Sequence, residues 1–173
     1  MNLATKYGNY CALITVSFIL LLHFSGISSF FVKGLGSVIS SLTELVFIFL
    51  AIYMTRKNEY GGFIDFKSAA RAGITMVLVN GILFAFFQYL YYQFIEPDFI
   101  NHFMPQYEKW SKMMGRSEDE LQKVSAALST GFSPISAAWA SFSQMLFWET
   151  FIALIIARFL RKNPPEQMQT PEG

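Results

Sequence analysis

Apolar residues fall into four long blocks, at about residues 8–31, 35–54, 72–95 and 135–160, separated by polar stretches. The first holds the run Cys11-Ala-Leu-Ile-Thr-Val-Ser-Phe-Ile-Leu-Leu-Leu22. A spanning helix needs about 20 mostly apolar residues, each rising about 1.5 Å, to cross about 30 Å of hydrocarbon. All four blocks reach that length, and none alternates with period two as a β-barrel strand would. The pattern predicts an all-α fold: an integral membrane four-helix transmembrane bundle, one membrane domain over residues 1–162. The first block is longer than a secretory apolar region of about 7–15 residues, and no A-x-A-like cleavage site follows it. It reads as an uncleaved first span.

Composition strengthens this picture. Of 173 residues, 53% are hydrophobic and 14% charged, where a soluble domain carries about 25% charge. The lipid bilayer is the partner this implies. A net charge of +1 gives no reason to expect nucleic acid as a partner. Cys11 is the single cysteine, and His23 and His102 are the only histidines. That excludes an internal disulfide framework and any multi-cysteine or histidine-rich metal centre.

Basic residues near span ends set orientation. With the N-terminus inside, the inner side collects Lys6, Arg56, Lys57, Lys67, Arg71, Arg158, Arg161 and Lys162. The outer side holds Lys33 in a turn, with Lys109, Lys112, Arg116 and Lys123 in a long loop, mostly far from the boundary. Both termini are therefore expected to be cytoplasmic. The polar tail 163–173, with Pro164-Pro165, is expected to be disordered.

The loop 96–133 between spans three and four is the one sizeable soluble feature, expected to be extracytoplasmic and helical. Pro97 suits a first helical turn. Phe99, Phe103, Tyr107, Trp110 and Met114 recur at helical spacing, as in an interfacial amphipathic helix that Pro105 kinks or divides. Ser117 and Glu120 match a capping box, so a second helix should start there and run to about Leu128.

Three stretches carry a family likeness: Tyr60-Gly-Gly-Phe-Ile-Asp-Phe-Lys-Ser-Ala69 followed by Arg71 and Gly73, Tyr91-Tyr-Gln-Phe-Ile-Glu-Pro-Asp-Phe99, and Met114-Gly-Arg-Ser-Glu-Asp-Glu-Leu121. Together they resemble the membrane-protein family called domain of unknown function 4199. The resemblance implies a small four-span bacterial membrane protein of a kind frequent in the Bacteroidetes, placed in the inner (plasma) membrane. It brings no activity and no catalytic residue. The Gly61-Gly62 pair has a local reading: glycine lets the chain turn sharply before the next helix, which Asp65 or the turn then caps. No phosphate-loop pattern accompanies it.

Polar groups inside hydrocarbon are the first place to look for function. At about 1.5 Å per residue from the inner boundary, Glu44 lies roughly 15 Å deep, Asn80 roughly 12 Å and Glu149 roughly 13 Å. These three form a candidate intramembrane layer. His23 and Gln88, at roughly 22–24 Å by the same count, form a second. Ser37, Ser40 and Ser41 share the Glu44 face of span two at i, i+3, i+4 and i+7 spacing. On span four, Ser136, Ser143 and Gln144 read as one side and Glu149 as another.

Two acidic groups at one depth can share or exchange protons, so the layer reads either as a pathway or as interhelical cement. Cement is the commoner use of such groups. Small-residue ridges at Ala69, Gly73, Val77, Gly81 and Ala85, and at Ser133, Ala137 and Ser141, are expected to build the monomer core. Trp148, deep in span four, reads as core, and Cys11 as a small buried apolar residue.

No enzyme motif is present. Asp98, His102 and Glu96 lie close together but lack a fourth ligand. Neither a catalytic site, a metal site nor a cofactor is expected. The expected function is self- or partner association in the cell envelope, through a homo-oligomer or a membrane-protein partner. The alternative is an oligomeric proton, ion or small-solute pathway using Glu44, Asn80 and Glu149.

Overall fold

A computed structural model describes residues 2–26 and 30–162. The tail expected to be disordered lies outside the described residues. Six α-helices follow in order: α1 (Leu3–Phe24), α2 (Phe30–Asn58), α3 (Phe66–Leu90), α4 (Phe99–Met113), α5 (Glu118–Gly131) and α6 (Pro134–Leu160). One π-helical turn, Tyr91–Ile95, continues α3. Among the described residues, four helices are long and apolar enough to cross a membrane: α1, α2 from Gly34, α3 with its π turn, and α6. The chain is an all-α bundle of membrane-spanning type. Among the described residues the only β-type pairing is an isolated bridge between Ile64 and Lys162.

Helix ends shift by a few residues from the apolar blocks, each for a local reason. α1 starts at Leu3 because the Asn2 side chain accepts from Thr5 N at 2.8 Å. It stops at Phe24, since Gly26 takes φ 70°. Asp65 caps α3, accepting from Ser68 N at 2.9 Å and from its hydroxyl at 2.8 Å. Gly61 and Gly62 before it have φ 60° and 94°, a region costly for residues with a Cβ. That is the turn expected of the pair. Ser117 accepts from Glu120 N at 3.3 Å, and α5 runs three residues past Leu128.

Two expectations about prolines change. Pro97 lies in the turn before α4, whose N-cap is Asp98. Pro105 sits inside α4, which continues through it as one helix. Only the bond that its missing N–H would have made is forfeited.

The Ser68 hydrogen bonds hold the Asp65 carboxyl below its ordinary value of 3.8. For a depressed carboxylate, the stabilisation is complete above the unfolded value and is lost as pH falls through the folded one. Asp65→Ala is therefore expected to lower the melting temperature at pH 6, and to flatten its dependence on pH below the ordinary value of 3.8. Thermal unfolding in detergent against pH checks this; an unchanged pH profile would contradict the cap.

α3 is the central helix. A Cβ on Gly8 of α1 would stand 2.9 Å from the Met76 carbonyl oxygen and 2.9 Å from Val79 Cβ. One on Gly73 would stand 2.9 Å from Ala153 Cβ of α6 and 3.0 Å from Ile52 of α2. Lipid gives helices no hydrophobic drive to associate, so close backbone approach and van der Waals packing do the work. The core gathers Ala4, Cys11, Ile48, Ile52, Ala69, Met76, Val77, Ala153 and Ala157, all in the half of the bundle nearest the termini. Ala153 and Ala157, rather than Ser133, Ala137 and Ser141, are the fully buried small residues of α6.

That half is also tied at its end. Ile64 and Lys162 exchange two backbone bonds of 2.9 Å, and Arg56 donates to the Leu160 carbonyl at 3.0 Å. The Leu3 amide donates to Glu59 at 3.0 Å, which puts both ends of the described chain on one side of the bundle. The α4–α5 hairpin sits at the opposite side.

Candidate functional site: a polar cavity between the spans

In the half nearer the hairpin the spans part, and a cavity of about 550 Å³ opens between α1, α2, α3 and α6. Its walls follow from helical spacing. α2 contributes Ser37, Ser40, Ser41, Glu44, Leu45 and Ile48, and α6 contributes Ser141, Gln144, Met145, Trp148, Glu149 and Ile152. Both sets run i, i+3, i+4, i+7, i+8, i+11, one face of a helix. α3 adds Phe84 and Gln88, the π turn adds Tyr91 and Tyr92, and α1 adds Ile19, Leu22 and His23. Serines lie toward the hairpin, with Glu44, Glu149, Ile48 and Ile152 toward the packed core.

The two polar layers expected from depth thus meet in one site. Glu44 and Glu149 lie side by side, with Asn80 next to Glu149. Asn80 is fully buried behind the cavity wall, and Glu149 is 5% exposed. Neither Glu149 oxygen, neither Asn80 amide atom, nor Gln88 Oε1 has a hydrogen-bond partner of good geometry. Buried polar groups in this state are costly, at about 1–3 kcal/mol each. Glu149 nonetheless stands within reach of Glu44 on α2 and Asn80 on α3.

Two expectations for α6 are corrected. Gln144 lines the same cavity as Glu149 rather than another side, because positions 144, 145, 148 and 149 fall on one face. Ser136 instead completes a capping box with Ser133, through bonds of 2.8 and 3.1 Å. Trp148 is not core: it is 57% exposed and lines the cavity, since α6 is not packed tightly on α2 at this level.

A sequence profile for the family described as "Protein of unknown function (DUF4199)" matches residues 6–162. The chain belongs to that family. No curated protein and no solved structure matches it. The DUF4199 likeness of Tyr60–Ala69, Tyr91–Phe99 and Met114–Leu121 is thereby borne out, and two of those stretches adjoin structural features just described. The first is the glycine turn and α3 cap. The second is the π turn at the cavity mouth.

That π turn carries residues which sequence spacing did not single out for function in this DUF4199 chain. Tyr91 Oη donates to Glu96 Oε2 at 2.8 Å and lies 2.9 Å from His23 Nδ1. Glu96 is buried, and its other oxygen is 3.9 Å from His102 Nδ1. Below Glu96, Tyr92 packs on Phe99 and Phe132, with ring centroids 4.9 and 5.1 Å away, joining the hairpin to the bundle. π turns shift the register of side chains and recur at functional sites. The signal available in the sequence was Tyr-Tyr followed by an acid at a span end.

The hairpin's aromatic ladder stacks on itself. Phe99, Phe103, Tyr107 and Trp110 succeed one another at 5.2, 5.6 and 6.3 Å, and Arg116 covers Trp110. Among the described residues, no group of three or more His, Cys, Asp or Glu side chains is placed to hold a metal ion. Cys11 is fully buried.

Tyr91→Phe removes the hydroxyl that joins α1 to the π turn and takes a donor from buried Glu96. It is expected to cost about 1–3 kcal/mol, with the His23 ring resonances shifting in an NMR spectrum. An unperturbed His23 would contradict the network.

Proposed function

We propose that this DUF4199 protein binds a small polar solute in the cavity between its spans. The supporting observation is the cavity itself: about 550 Å³, within the range of about 300–1,000 Å³ usual for small-molecule sites, with the acidic residues Glu44 and Glu149 in its lining. In a bacterial inner membrane with cytoplasmic termini, as the basic residues favour, the mouth faces outward. The carboxyl pair Glu44 and Glu149 then lies at the end of an inward path, where a solute is held or handed on.

The test is a thermal-unfolding screen in mild detergent with four solute classes: amines, carboxylates, sugars and alcohols. Wild type is compared with Ser41→Trp, which fills the cavity from α2. At least one class is expected to raise the wild-type melting temperature and leave that of Ser41→Trp unchanged. If no class discriminates the two proteins, the solute reading is overturned.

Association remains the second reading. Exposed Met113 and Met114 at the tip of the hairpin favour it. It predicts a discrete oligomer in mild detergent that Met113→Glu dissociates; a strict monomer contradicts it.

A further inference from the structure

We propose that the solute is an organic ammonium: a protonated primary or secondary amine with an apolar or aromatic body. This rests on the reading of the cavity as a solute site and names the chemistry that the site selects.

Charge is the first ground. The lining carries three carboxyl side chains, Glu44, Glu149 and Glu96, and one histidine, His23; it holds no lysine or arginine. An anion would face acids on both walls and at the mouth. A buried carboxyl group takes its charged form only beside a counter-ion, and a neutral solute supplies none. A cation supplies what the walls lack.

Hydrogen bonding narrows the class further. Two lining residues carry three acceptors without a partner of good geometry, both carboxyl oxygens of Glu149 and the amide oxygen of Gln88, each just beneath the cavity surface. They call for N–H donors. A primary ammonium carries three and a secondary ammonium two, each with the positive charge that makes such bonds short and strong. A quaternary ammonium has none and would leave the same atoms orphaned.

Size and apolar lining argue against a bare ion. A metal ion needs several donors converging within about 2.0–2.6 Å, and no such group exists among the described residues. A volume of about 550 Å³ would leave any single ion surrounded by unfilled space. The remaining walls are Ile19, Leu22, Leu45, Ile48, Met145 and Ile152, which suit a hydrocarbon body. The rings of Phe84, Tyr91, Tyr92 and Trp148 also line the space, and aromatic faces attract cations within about 6 Å. The ammonium therefore sits at Glu149 and Glu44, with its apolar body along α1 and α6.

The test uses three probes of nearly equal shape at neutral pH on the full chain in detergent: 2-phenylethylamine, 2-phenylethanol and phenylacetate. Binding is read by calorimetry and by melting temperature. The amine is expected to bind at least about tenfold more tightly than either analogue. Glu149→Gln should weaken the amine at least about tenfold while the protein keeps its helical circular dichroism and elution volume.

Should Glu149→Gln fail to fold, Glu44→Gln and the cavity-filling Ser41→Trp carry the same comparison. If the alcohol or the carboxylate binds as well as the amine, and Ser41→Trp abolishes it, the ammonium is overturned and the solute site stands. If amine binding survives in folded Glu149→Gln and in Ser41→Trp, the amine lies elsewhere and the proposal falls. If none of the three probes binds wild type, the ammonium falls as well, and the four-class screen decides the solute reading separately.

Discussion

Gly73→Leu is expected to prevent the bundle from assembling. A single Cβ at that position already lies 2.9 Å from Ala153 Cβ and 3.0 Å from Ile52 Cδ1, distances that real Cβ atoms hardly reach. Three helices, α2, α3 and α6, converge there, so no one side chain can swing away to make room. Gly73→Ala should cost about 1–3 kcal/mol, and the leucine variant more than about 3 kcal/mol, against total stabilities of about 5–15 kcal/mol. Unfolding by denaturant in mixed micelles reads both. A Gly73→Leu protein with wild-type stability would show that α3 is not the close-packed centre of the fold.

The second large effect runs in the opposite direction. Glu149→Met keeps a similar volume, removes two buried carboxyl oxygens without partners, and is expected to raise stability by about 1–3 kcal/mol. Replacing buried ionisable groups by apolar ones of like size is often stabilising. A gain in stability on losing a buried acid is the mark of a residue retained for something other than the fold. The cement reading predicts a loss instead, because Glu149 would then hold α6 to its neighbours. Denaturant unfolding of Glu149→Met beside wild type distinguishes the two by sign.

Much of this architecture was legible in the chain because bilayer thickness imposes a length that few other structures share. Four apolar blocks of 20 residues or more have essentially one use. The caps at Asp65 and Ser117 were legible for a similar reason, since a short polar side chain before a helix has a narrow set of partners. Depth along each helix also placed Glu44, Asn80 and Glu149 at one level, and the structure brings them together.

What depth does not carry is rotation about each helix axis and the spacing between helices. The sequence therefore put His23 and Gln88 in a separate layer, turned Gln144 away from Glu149, and counted Trp148 as core. All four residues line one cavity, because α2 parts from α6 and α3 toward the hairpin. The Tyr91–Glu96 network was hidden for another reason. A π turn adds a residue to the helical repeat, so spacing rules built on 3.6 residues per turn misplace whatever follows it. The Ser133–Ser136 box escaped because the pattern sought at its third position was Glu or Gln, where serine makes the same bonds.

A solute site between the spans requires a cavity that is filled with water and reachable from the hairpin side. With Cys11 replaced by alanine, Ser41→Cys on the cavity wall and Leu42→Cys on the adjacent outward face, 58% exposed, provide a matched pair at nearly one depth. A membrane-impermeant, positively charged methanethiosulfonate is added to the hairpin side of oriented vesicles. The cavity predicts rapid labelling of Ser41→Cys and almost none of Leu42→Cys, whose thiol faces lipid and stays protonated. Equal labelling of the two, or none at Ser41→Cys, would contradict it.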